Sequence, residues 1–186
     1  MTGEVELIGG TEKRDIRLVP YDSVWLSQFT NERGRIAMAL GDLARRIDHV
    51  GSTSVVGLDA KPIIDIDVSV VDPEDEDTYL PQLEAVGYVL RVREFGHRMF
   101  RTADLGVHVH VCEAGSDWER RHLLFRDWLR RNDSDRDLYA SVKQNLVQRD
   151  WSDMNAYAAA KTDVIAAIMP RAEAWASAVG WSVASS

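Results

Sequence analysis

A single cysteine, Cys112, in 186 residues excludes an internal disulfide and leaves the fold to be held by packing. No apolar run approaches the ~18 residues that a membrane-spanning helix needs. Cations are in the minority, 22 Lys and Arg against 30 Asp and Glu, for a net charge of −8. That balance argues against general nucleic-acid binding, which relies on a basic surface to displace counterions. The start, Met1-Thr2-Gly3-Glu4-Val5-Glu6, lacks the basic and apolar regions of a secretory signal. Repeats and low-complexity stretches are missing as well. A cytoplasmic protein with no membrane association is the expectation. What is present is ordinary globular composition, 45% hydrophobic and 28% charged, at a length that suits one domain.

Residues 1–15 are polar and glycine-containing and are expected to form a flexible arm. After Ser23, a plausible N-cap, Trp25, Phe29, Ile36, Leu40, Leu43 and Ile47 recur at helical period. Short strands are expected at 47–50 and 62–71. An acidic turn at 72–77 then leads into a helix ending near Val86, its acids placed favourably at the helix N-terminus. Residues 88–93, 98–102 and 107–112 alternate as antiparallel strands do. Beyond Gly115-Ser116 three helical stripes follow: Trp118, His122, Phe125 and Leu129; Leu138, Val142 and Leu146; and the Ala-rich run 154–178. The order predicts an α+β domain over 16–178, a mixed or antiparallel sheet flanked by helices with a C-terminal helical region, and a tail at 179–186.

The chemistry concentrates in Val50-Gly-Ser-Thr-Ser-Val-Val-Gly-Leu-Asp-Ala-Lys-Pro-Ile-Ile-Asp-Ile-Asp-Val68. Asp65 and Asp67, two positions apart on a strand, face one side. Neighbouring carboxylates repel and resist desolvation, so a cation or a shared proton between them is expected. Upstream, the turn at Gly51-Ser52, with the hydroxyls of Ser52 and Ser54, can cradle phosphate oxygens. On Val107-His-Val-His-Val111, the period places His108 and His110 on one face.

These features resemble the nucleotidyltransferase superfamily: hydrophobic-Gly-Ser, a spacer, then Asp-hydrophobic-Asp. More closely, the segment from His49 to Val68 resembles the GrpB family, a branch that also occurs fused to some dephospho-CoA kinases. Val19-Pro-Tyr-Asp-Ser-Val-Trp25, the His108-Val-His-Val111 strand, Phe125-Arg-Asp-Trp-Leu-Arg130 and the spacings Tyr139 to Lys143 and Tyr157 to Lys161 extend the resemblance over 16–169. It implies a nucleotidyltransferase-like fold, a nucleotide and a small-molecule acceptor as partners, and a divalent metal, Mg2+ or Mn2+ first. Asp65 and Asp67 are the implied catalytic ligands. The family commonly has Pro where this chain has Val56, which implies a softer turn.

Superfamily members usually supply a third acid where this chain has histidines. His108 and His110 joined to Asp65 and Asp67 would form a four-ligand site favouring Zn2+ or another transition metal. Alternatively His110 acts as general base, its ordinary pKa of ~6.5 lying near working pH. Nucleotide phosphates are assigned to Gly51, Ser52, Ser54, Lys61, Lys143 and Lys161, with Arg98 and Arg101 as further cations nearby. The Tyr139/Lys143 and Tyr157/Lys161 pairs can serve either a base and its phosphates or plain packing. His49 is divided equally between strand-end bonding and substrate contact; His97 reads as a loop residue and His122 as a packing residue. Three functional readings follow: a metal-dependent nucleotidyltransferase, a catalytically inert nucleotide- or CoA-related binding module, and a metal-dependent enzyme of another reaction type.

Overall fold

The computed structural model describes residues 5–13 and 15–183. One mixed six-stranded sheet organises the chain: β1 (Glu6–Leu7), β2 (Arg46–Val50), β3 (Ile64–Val70), β4 (Tyr88–Glu94), β5 (His97–Thr102) and β6 (Val107–Glu113), in the order β1-β4-β5-β6-β3-β2. Only β3 and β6 run parallel; the other pairs are antiparallel. In that parallel pair Asp65 stands beside His108 and Asp67 beside His110. Strand alternation divides the two faces sharply. Ile64, Ile66, Val68, Val109 and Val111 pack with Phe100 and Tyr88 under α1 (Val24–Leu40) and α2 (Leu80–Ala85). Each fully buried side chain of this size contributes about 1.5–3 kcal/mol. The opposite face carries Asp65, Asp67, His108 and His110 toward α3 (Asp117–Arg131), α4 (Asp133–Leu146), α5 (Met154–Ala159) and α6 (Thr162–Val179).

The expected α+β architecture is therefore present, with several boundaries displaced. The first helix stops at Leu40 because Gly41 takes φ +53, and a 3-10 turn follows at Gly41–Leu43, so Ile47 belongs to β2 and not to the helical stripe. The acidic run forms a 3-10 turn at Glu76–Thr78 ahead of a six-residue α2. Its acids clamp arginines: Arg98 bonds Glu74 and Glu76, and Arg93 bonds Glu76. Arg98 thus lies buried on the α1 face, away from the acidic strand face where sequence proximity had suggested it. The Ala-rich run divides into α5 and α6 near Lys161. On α4 the buried face is Asp135, Tyr139, Lys143 and Leu146, rotated from the expected Leu138 stripe, and Leu138 is exposed.

The polar arm is a correction as well, for residues 5–13. Glu6–Leu7 pairs with β4, and Glu12 binds both Arg91 and Arg101, two cations on the sheet that need an acidic partner. Residues 1–4 and 14 lie outside the described residues, as do 184–186 of the tail. Trp181, at the start of that tail, packs against Trp175 and donates to Asp127. Among the described residues no helix is long and apolar enough to cross a membrane.

Candidate functional site

The site begins at the exit of β2. Gly51 takes φ +65 and ψ −173, a conformation open essentially to glycine, and a Cβ there would collide with the Asp65 carboxylate. The backbone can pass beside Asp65 only because this side chain is missing. Ser52–Ser54 then form a 3-10 turn in which the Ser54 hydroxyl donates to the Gly51 carbonyl at 2.6 Å. Arg130 of α3 donates twice to the Ser54 carbonyl, and Arg126 donates to the His49 carbonyl. The turn is therefore tied on both sides, and Val55 and Leu58 anchor it in the helical core with Leu129, Tyr139 and Ile168. Val56, standing where the family resemblance implies Pro, is exposed beside that anchor.

Asp65, His108 and His110 each offer one ligand atom within 4.8 Å of the others. Asp65 Oδ1 lies 3.3 Å from His108 Nδ1 and 3.7 Å from His110 Nε2. Burial pushes the Asp65 carboxyl up, but hydrogen bonds from both imidazoles outweigh it and hold the group well below the usual carboxylate range. Burial lowers His110, whereas bonding to Asp65 and the charges of Asp67 and Asp65 raise it, and the net shift is upward. Its other nitrogen, Nδ1, sits 3.0 Å from His97 Nε2, so both ring nitrogens are engaged. His97 is buried and stacks on Trp118 at 4.0 Å. Burial first, then the neighbouring His110, His122 and Arg98, pull His97 down to about 2, so it is a neutral brace for His110. The loop reading of His97 is thus replaced by a supporting role in the site.

Asp67 stands outside that three-residue group. It is 1% exposed, and His122 Nδ1 lies 2.9 Å from its Oδ2. The two neighbouring acids have separate imidazole partners, His108 and His110 for Asp65 and His122 for Asp67. His122 is consequently a site residue and not the packing residue that its helical stripe suggested. The one available signal was its chemistry: a polar residue four positions from Trp118 within an apolar stripe, now 4.6 Å from that ring. His49 resolves to strand-end bonding, since its Nε2 meets Thr53 Oγ1 at 3.0 Å and its ring stacks on Phe29 at 4.7 Å. Burial lowers its pKa to about 4.

A cavity of about 470 Å³ connects this cluster to a set of lysines. Gly51, Ser52, Lys61, Asp65, His108, His110, His122, Lys143 and Lys161 all line it; Asp67 and Ser54 do not, being turned to His122 and Gly51. Lys143 is 2% exposed, and its Nζ contacts Ser52 Oγ at 3.0 Å and the Asp59 carbonyl at 2.5 Å. Both anticipated tyrosine–lysine pairs form: Lys143 Nζ lies 4.9 Å from the Tyr139 ring centre and Lys161 Nζ 5.3 Å from that of Tyr157. Lys61 joins the second ring at 5.2 Å. Because Tyr139 and Tyr157 are buried, their rings seat the lysines and are not open platforms for a base. Arg101, paired with Glu12, forms part of the far wall.

Two imidazole nitrogens and one carboxylate oxygen suit zinc or another transition ion, leaving further positions for substrate or water. Magnesium, which prefers octahedral oxygen ligands, fits this donor set less well, particularly with Asp67 committed to His122.

Comparison with known proteins agrees with this architecture. A family model described as GrpB protein matches residues 15–171. A UPF0157 protein of Streptomyces coelicolor is 51% identical over 170 residues, 91% of each chain. A dephospho-CoA kinase of Mycolicibacterium paratuberculosis is 32% identical over 89% of this chain but only 48% of its own length. Among solved structures, the conserved protein GrpB of Enterococcus faecalis superposes with a TM-score of 0.67 at 27% identity, covering 82% of this chain and 99% of that one.

Proposed function

This chain belongs to the GrpB family, and on that premise we propose that it is a metal-dependent enzyme of nucleotidyltransferase-like chemistry, acting on a nucleotide and a small acceptor. The observation that carries the reading is one cavity holding both the Asp65/His108/His110 cluster and the lysines 61, 143 and 161. Acidic overall, the protein concentrates cations where phosphate oxygens would lie. Asp65, His108 and His110 would hold the divalent ion, which supplies positive charge against the reacting phosphate when bound. Lys61 and Lys161 bind and orient the phosphate chain, with Ser52 and Lys143 at its reacting end. His110 has both nitrogens engaged and serves the metal cluster, so the proton-accepting role passes to His122: Nδ1 faces Asp67, and Nε2 is the atom to take the acceptor's proton. Trp118 and Phe125 line the same wall and limit water.

A second reading, an inert nucleotide- or CoA-related binding module, is favoured by one finding. Relatives named dephospho-CoA kinase carry a matching segment in about half their length. One experiment separates the two. Thermal shifts with nucleoside triphosphates and Mg2+, Mn2+ or Zn2+ identify the binding pair, a ligand at 100 times its Kd adding about 2.7 kcal/mol. Pyrophosphate release with candidate acceptors then reports turnover. Enzyme activity predicts release by the wild type and loss of at least about 100-fold in Asp65→Ala. Binding without release selects the module, and release undiminished in Asp65→Ala removes the proposed site.

A further inference from the structure

Lys143 is in an unusual position for a residue that merely attracts phosphate. It is almost completely enclosed, and its two polar contacts differ in kind: the Asp59 carbonyl can only accept, whereas the Ser52 hydroxyl can donate or accept. Lys143 Nζ donates to both oxygens when charged, and at 3.0 Å from Ser52 Oγ its deprotonated form is placed to accept the hydroxyl proton while still donating to the Asp59 carbonyl. From this arrangement we infer that Ser52 and Lys143 form a nucleophile–base dyad, so that group transfer in this cavity passes through a covalent seryl intermediate. The inference deepens the transfer reading above by naming how the group is carried.

The surroundings support a neutral amine. Burial first, and then the charge of Lys161, bring Lys143 down to about 7; Asp59 opposes them, and Lys61 adds a smaller lowering. Those three charged groups and Tyr139 are the titratable neighbours facing it. Ser52 and Lys143 both line the cavity, and Ser52 sits at the head of a turn held by Arg130 and by the packing of Val55 and Leu58. The pairing of an activated hydroxyl with a buried lysine is a known variant of nucleophile activation.

The step balances without any redox partner. Ser52 Oγ attacks the phosphorus of a phosphoanhydride and its proton passes to Lys143 Nζ. The bond from phosphorus to the bridging oxygen breaks, and the departing phosphate takes the electron pair. A hydroxyl acceptor or water then attacks the seryl ester, its proton passing to His122 Nε2, while Ser52 Oγ departs and recovers the proton held by Lys143 Nζ.

The test uses a small alkyl phosphonofluoridate on the full chain with chelator present. Ser52 forms the oxygen–phosphorus bond, fluoride leaves, and the peptide containing Ser52 gains the phosphonyl mass. Labelling should rise with pH through about 7 and then level, be absent at this position in Ser52→Ala, and slow about 100-fold or more in Lys143→Arg. Arginine carries a permanent positive charge and does not act as a base at these pH values, so this variant separates proton transfer from anion binding. Circular dichroism confirms that each variant is folded. No adduct on wild-type Ser52, a flat pH profile, or wild-type labelling in a folded Lys143→Arg overturns the dyad. Because the probe needs neither metal nor nucleotide, labelling without any nucleotide-dependent thermal shift leaves the dyad standing and removes the nucleotide reading. The reverse result leaves that reading and removes the dyad.

Discussion

Gly51 shows how one missing side chain shapes a site. Its φ of +65 and the Asp65 carboxylate against its Cα leave no room for a Cβ. Gly51→Ala should cost about 1–3 kcal/mol of folding stability through backbone strain alone. Because the colliding atom belongs to the proposed metal cluster, zinc affinity in a competitive chelator titration should fall with it; unchanged affinity would show that Asp65 lies elsewhere. Lys143 makes a pH prediction of definite sign. Its folded pKa of about 7 lies below the ordinary 10.5, so between those values the unfolded chain binds more protons and stability rises with pH. Below about 7 the full cost of the buried ammonium is present. Urea unfolding from pH 7 to 9 should show wild-type stability climbing by about 1 kcal/mol per pH unit relative to Lys143→Met. Parallel curves for the two proteins would contradict the buried, depressed lysine.

Helix α3 is the element that delivers the site, bringing Trp118, His122 and Phe125 to the cavity and the arginines 126 and 130 to the turn. The break at Gly115-Ser116 marked its start, and in the structure Ser116 and Glu119 stand at the Ser-X-X-Glu spacing of a capped N-terminus. Ser116 accepts the Glu119 N–H at 3.3 Å. Glu119 itself departs from that pattern, accepting from Gly115 N–H at 2.7 Å and from the Ser69 hydroxyl at 2.5 Å, which pins the helix to β3. Ser116→Ala should lower stability by about 1 kcal/mol, measured by chemical denaturation, and leave the β-sheet signature in circular dichroism unchanged. A loss well above 2 kcal/mol would mean that the hydroxyl does more than cap. Strand periodicity was readable for the same local reason, because alternation over 107–111 is a property of consecutive residues. The α4 stripe was misread because its buried face is chosen by distant partners: Trp128 and Arg171 bond Asp135, and Lys143 reaches the Gly51–Ser54 turn.

For the whole molecule, a net charge of −8 coexists with a cavity that gathers three lysines and is closed on one side by the N-terminal segment. That segment illustrates the limit of composition. Its polarity suggested an arm, yet Leu7 pairs with β4 and Glu12 spans Arg91 and Arg101, contacts across about eighty to ninety residues of sequence. What the sequence determined by itself was the α+β class, the family resemblance, the glycine-serine turn, and the shared strand faces of Asp65 with Asp67 and of His108 with His110. Each follows from short-range pattern, turn chemistry or a contiguous motif. Only the tertiary structure decided that Asp67 belongs to His122, that His97 braces His110, and that Lys143 meets Ser52. Those pairings depend on strand register and on the rotation at which each helix docks, which is set by packing among residues far apart in the chain, so no local pattern encodes them.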